Sequence, residues 1–152
     1  MKPVVENIYQ LDWDYPNPFT VSVKVSDQDI DQLGHTNNQV YLDWMMKAAY
    51  GHSESLGLSV NDYLSIGVAM VAKRHEINYM SATFLNDDLI VGTWIATNDN
   101  RFQSIRKYQI IRTNDQKTTL RAETDWVSLN IDNGKPQRMP GEFIRCYQPT
   151  IL

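Results

Sequence analysis

A chain of 152 residues with 42% hydrophobic side chains can close one core and is too short for two ordinary domains, so a single domain over 1–152 is expected. The formal net charge of −4 speaks against general affinity for nucleic acid or an anionic membrane surface. No apolar run approaches the roughly 20 residues of a membrane span and no signal-peptide pattern stands at the start, so a cytoplasmic protein is expected.

Residues 1–18 read as an extended lead-in, since the six prolines are confined to the two ends of the chain. From Phe19 to Ser26 the sequence alternates, with Phe19, Val21, Val23 and Val25 on one side and Thr20, Ser22, Lys24 and Ser26 on the other, which predicts a half-buried first strand. Between Asn38 and Leu56 the period changes: Tyr41, Trp44, Met45, Ala48, His52 and Leu56 fall on one helical stripe, and Gly57 is a suitable stop. Ala48, Ala49 and Gly51 would let a sheet approach this helix closely. A short connection containing Asn61 and Asp62 follows. Four β-rich segments are then expected near 67–80, 88–97, 102–112 and 118–131, separated by turn-forming stretches at 81–87, 98–101 and 113–117. Links this short favour antiparallel neighbours. One strand, a long helix and four meandering strands suggest an α+β sheet curled around a helix, and by pattern alone a nuclear-transport-factor-like cone stays open beside it.

The polar segment Asp27-Gln28-Asp29-Ile30-Asp31-Gln32-Leu33-Gly34-His35-Thr36-Asn37-Asn38 feeds an apolar helix. As scaffold, Asn37 or Asn38 caps the helix, Gly34 supplies a special backbone angle and the aspartates favour the positive helix end. As a site, free amide donors beside a carboxylate suit a developing oxyanion. Both readings stand on the residues alone.

The spaced motif Asp29-x-Asp31-x-x-Gly34-His35-x-Asn37-Asn38-x-x-Tyr41-x-x-Trp44 resembles the signature of the 4-hydroxybenzoyl-coenzyme A thioesterase family of hotdog proteins. The likeness continues through His75-Glu76-Ile77-Asn78-Tyr79, the run from Asn86 to Val91, the stretch from Arg101 to Ile105 and that from Trp126 to Asn130, and so covers about 19–143. It implies a long central helix wrapped by about five antiparallel strands, a homodimer or homotetramer, and hydrolysis of an acyl-coenzyme A without metal or other cofactor. The family's essential carboxylate maps to Asp31 and its helix-start amide to Asn38. Thr36 replaces the more common Val, and some members use a Glu or Gln on the helix instead.

A thiol leaving group with a pKa near ~8.5 departs without strong acid help, so the chemistry needs only a nucleophile or base and a donor to the carbonyl oxygen. Asp31 suits either role. His35 is a further catalytic candidate, or a turn residue bonded to backbone. Asn37, Tyr41, Arg101 and Ser104 are candidate substrate contacts, against the plainer readings of a cap, a packing ring and an ordinary turn. Lys73 and Arg74 form a second candidate phosphate pair. His52 and His75 read as core or interface residues, and the lone Cys146 has neither a disulfide partner nor a metal-ligand neighbour.

Charge is uneven: residues 1–31 carry six acidic and two basic side chains, and 101–121 six basic and one acidic. The basic stretch suits an anionic ligand, or it is a solvent-facing sheet surface. An acyl-carrier-protein thioesterase and a non-catalytic acyl-coenzyme A-binding module are the competing functions.

Overall fold

The computed structural model describes residues 7–151. Five antiparallel strands, β1 (Phe19–Lys24), β2 (Val68–Tyr79), β3 (Asp88–Asn98), β4 (Gln103–Arg112) and β5 (Lys117–Asn130), form one sheet in the order β1-β3-β4-β5-β2. The sheet curls around α1 (Asn38–Ser55); α2 (Val60–Ile66) and α3 (Gly141–Cys146) close its far end. This is the α+β arrangement of a helix wrapped by five strands that the sequence suggests.

Helix α1 buries Tyr41, Trp44, Met45, Ala48, Ala49 and His52, the expected stripe. Asn37 caps it by accepting from the Gln39 N–H at 3.0 Å, and Gly57, at φ 94°, ends it in the left-handed region that glycine enters without steric cost. The small residues do admit the sheet: a Cβ on Gly51 would stand 3.2 Å from the Phe19 ring of β1. Met45, Ala48, Val91, Ile95, Ile110 and Leu120 form the apolar centre between helix and sheet. Each large aliphatic side chain buried there contributes about 1.5–3 kcal/mol.

Interior strand β3 is buried over 89–96 on both faces, and the lead-in explains its outer face. Residues 11–16 lie across it as a strap. Trp13 and Tyr15 meet Trp94 edge-on at 5.8 and 5.4 Å, and the fully buried Gln109 holds the strap backbone through Asp12 O at 3.1 Å and the Asp14 N–H at 2.9 Å. Residues 1–6 of the expected lead-in lie outside the described residues.

The structure corrects the sequence reading in three places. The connection with Asn61 and Asp62 is a helix, α2, started by a capping box in which Ser59 and Asp62 bond reciprocally and ended at Gly67 with φ 84°. Only three of the four later strands meander: β3, β4 and β5 are consecutive neighbours, but β2 pairs with β5, and the 81–87 link crosses from the β2 edge to β3, beside the opposite edge. It can do so because the curled sheet brings its edges together over the start of α1, where the Asn86 N–H donates to Val25 O and the Val25 N–H to Asp87 O. The basic stretch is only partly a solvent-facing surface: Arg101 and Lys117 are exposed, but three others are engaged within the fold. Arg106 turns inward and is buried, Arg121 pairs with Asp14 of the strap at 2.8 Å, and Arg112 binds Asp87 and Asp115. Part of the charge asymmetry is thus complementary within the fold.

Candidate active site

The segment between β1 and α1 folds tightly upon itself. Asp29 accepts from the Ser26 N–H and Oγ at 2.9 and 3.1 Å, which fixes the 3-10 turn Asp27–Asp29, and its carbonyl receives the Asn37 N–H at 2.8 Å. Its side chain is therefore occupied as a cap. Asp31 is different. Its Oδ1 accepts from the Leu33 and His35 amides at 2.9 and 3.3 Å, while Oδ2 carries no hydrogen bond among the described residues. Gly34, at φ 81°, makes the reversal that brings both amides to one oxygen.

Asp31 and the first residues of α1 line one cleft of about 490 Å³, with Leu33, His35, Tyr41 and Tyr79. Asn38 opens the helix, so its N–H has no carbonyl four residues earlier to bond and remains free for a ligand at the positive helix end. Asn37, by contrast, uses its side chain as the cap. His35 is exposed and sets its ring edge-on to Phe84 at 5.4 Å. Tyr41 is buried, with its hydroxyl 2.8 Å from Thr83 Oγ1.

Sequence reasoning noted Thr36 only as a departure from the commoner Val, without a role, and passed over Thr83. Thr36, fully enclosed, bonds Thr83 Oγ1 at 2.6 Å and its carbonyl through both N–H and hydroxyl, so the loop, the crossing link and Tyr41 are fastened together. A hydroxyl at 36 in place of the commoner Val was the available signal. Arg112 secures the same link by donating to Ala82 O at 2.9 Å.

Arg101 and Ser104 do not join this cleft within one chain. They stand at the opposite end of β4 from Arg112, about 30 Å away at roughly 3.3 Å per residue. Arg101 lies in a turn organised by Asp99, whose Oδ1 takes the amides of 101, 102 and 103, and Ser104 donates to Thr97 O at 2.8 Å. Arg74 pairs with Glu76 at 3.3 Å on the exposed β2 edge. His52 and His75 face the interior: His52 is buried against Phe19 and Arg106, and His75 bonds Thr124 Oγ1 at 2.7 Å. Cys146 is half-buried and free. Among the described residues no helix is long and apolar enough to cross a membrane.

A family model described as the thioesterase-like superfamily matches residues 25–145. Among solved structures, a 1,4-dihydroxy-2-naphthoyl-CoA thioesterase from Synechocystis is similar at 20% identity, over 86% of this chain and 96% of that one, with a TM-score of 0.77. A DHNA-CoA thioesterase from Staphylococcus aureus is similar at 22% identity over 78% of each chain, with a TM-score of 0.72. A second Staphylococcus aureus protein, solved in complex with CoA, is 19% identical over 90% of this chain and 89% of that one, with a TM-score of 0.80. These likenesses establish the hotdog fold.

Proposed function

The chain belongs to the thioesterase-like superfamily and is a thioester hydrolase by that membership; we propose that its substrate is an acyl-coenzyme A and that Asp31 is its working carboxylate. The supporting observation is the shared cleft in which Asp31 offers an unbonded Oδ2 beside the free amide that starts α1. The Leu33 and His35 amides hold the other oxygen and orient the group. The thioester oxygen sits at the Asn38 N–H, where the helix dipole favours the negative charge that grows there.

Two routes use this geometry. Asp31 attacks the carbonyl carbon, the C–S bond breaks, the thiolate takes a proton from water, and a second water hydrolyses the mixed anhydride. Alternatively Asp31 accepts the proton of a water that attacks directly. Both end in free acid and coenzyme A. Exposed Leu33, Met80 and Tyr79 rim the cleft and suit the apolar pantetheine or acyl portion. His35 and Tyr41 line the same wall, His35 beside the reacting group and Tyr41 as the floor.

Coenzyme A is favoured over a carrier protein because a protein of the same fold is solved in complex with CoA. A panel of acyl-coenzyme A esters with a thiol-trapping dye tests the reading, run beside carrier-protein forms of the same acyl groups. Thiol release from the coenzyme A forms is expected. Tight binding without release would identify a non-catalytic module, and preference for carrier-protein forms would overturn the substrate.

A further inference from the structure

Arg106 is 4% exposed and turned toward the C-terminal half of α1, yet among the described residues no carboxylate reaches it. Its Nη1 donates to His52 Nδ1 at 2.7 Å and to Thr93 Oγ1 at 3.3 Å. Both acceptors are uncharged. Burial, and then the Arg106 charge, push the His52 imidazole down to about 4, so it stays neutral. Tyr63, Tyr108 and Tyr147 face the same guanidinium, and burial pushes each above the ordinary phenol range, so none supplies a negative charge at neutral pH. A buried charge without a counter-charge is among the costliest groups a fold can hold.

The guanidinium lines a cavity in which the centre of a water-sized occupant can move through about 20 Å³, room for one small ion of one to three heavy atoms. Ser53, Tyr63, Ser104, Trp126 and Tyr147 share the lining. These walls carry donors. Ser53 Oγ lies 2.9 Å from Tyr147 Oη, which also bonds Tyr63 Oη. Of the lining groups, the Trp126 indole N–H is buried and makes no hydrogen bond of good geometry among the described residues, with the Tyr108 hydroxyl as its near neighbour outside the cavity.

We propose that this cavity is a second binding site, for one small monoanion such as chloride or the carboxylate of a short acid, held by Arg106. It is separate from the Asp31 cleft: its wall on α1 is near His52 and Ser53, some four turns from Asn38, or about 20 Å at about 1.5 Å per residue. The anion supplies the missing counter-charge and accepts from donors on the sheet, α1, α2 and the end of α3. Its binding therefore stabilises the packing of all four.

The test uses the full chain. Melting is followed while sodium chloride or sodium formate replaces sodium sulfate at fixed ionic strength, sulfate being too large for the cavity. A saturable Tm rise of about 3 °C at tenfold excess over Kd is expected for chloride or formate, and none in Arg106→Met. The relative Kd of the two salts tells whether the site prefers a halide or an organic carboxylate. Equal response to every salt, or an unchanged rise in Arg106→Met, overturns the proposal. Should Arg106→Met fail to fold, crystals of the unaltered protein grown with bromide decide: an anomalous peak beside the Arg106 guanidinium supports the site, and an ordered water without anomalous signal rejects it. None of these readouts depends on thioester hydrolysis, so they stand or fall independently of the Asp31 chemistry.

Discussion

Asp31 and His35 close a five-residue loop from both sides: the Asp31 N–H donates to the His35 carbonyl at 2.8 Å, and the His35 N–H donates to Asp31 Oδ1 at 3.3 Å. The backbone thus fixes the carboxylate without using its second oxygen. Asp31→Asn preserves size and one acceptor oxygen but removes the anion, so turnover should fall at least about a hundredfold, with the melting transition and affinity for a nonhydrolysable acyl-coenzyme A analogue retained. Asp29→Asn is the contrast. It weakens the cap on Ser26 and should cost about 1 kcal/mol of stability with much less loss of activity. Full activity in Asp31→Asn would remove that residue from the mechanism.

The fold was legible where one period dominated. The α1 stripe from Tyr41 to His52 and the alternation of β1 each pointed to a single buried face, and both stand in the structure. The inward turn of Arg106 was not legible, because Ser104, Arg106 and Tyr108 alternate with Ile105, Lys107 and Gln109, and neither set is apolar. Both sets are covered, one by α1 and the other by the strap, a fact that only tertiary packing supplies. The place of β2 depends on the curl of the whole sheet, which no local pattern carries. Helix α2 did leave a signal in Ser59-Val60-Asn61-Asp62 and Gly67, a capping box and a stop around a short apolar stretch. For the site, the Asp31 loop and the start of α1 were readable from spacing. The Thr36–Thr83 fastening was not, since its members lie 47 residues apart.

Strand β2 is a 12-residue edge with no strand beyond it among the described residues, whereas the opposite edge, β1, has six residues. Long open edges are covered or paired in natural sheets. A homodimer joined along β2, or a tetramer built from it, is therefore expected by light scattering at micromolar concentration. A species of only 17.6 kDa would refute it. Introducing a proline at Glu76, near the middle of the edge, should shift the distribution toward monomer.

Gly92 allows Trp13 to lie on the outer face of the sheet: a Cβ there would stand 2.6 Å from the indole Cζ3. Gly92→Ala must displace the ring and loosen the strap, at a cost of about 1–3 kcal/mol. Trp13 fluorescence should shift red and Tm should fall. Activity at low temperature should persist, because the Asp31 cleft is built on the other side of the sheet. Made in a Trp13→Ala background, the same substitution should cost much less, and an equal cost in both backgrounds would rule out this contact.

His52 links stability to pH through Arg106. In the native state burial, then the neighbouring guanidinium, hold its imidazole down to about 4, against 6.5 when unperturbed. Between these values the unfolded chain takes up a proton that the folded chain refuses, so the stabilisation is complete above pH 6.5 and is lost as pH falls toward 4. The interval corresponds to roughly 3 kcal/mol. His75, lowered by partial burial, acts in the same direction, while Asp115, held low by its bond to Arg112, acts only at more acid pH. Melting temperature should therefore decline between pH 6.5 and 4.5 in the unaltered protein. His52→Gln keeps an acceptor for Arg106 and does not titrate, so its melting temperature should be lower at pH 7.5 and fall much less steeply across that window, the remaining slope being the part that His75 supplies. A slope in His52→Gln as steep as in the parent would show that the proton goes elsewhere, and hydrogen exchange at the α1 and β4 amides would then locate it.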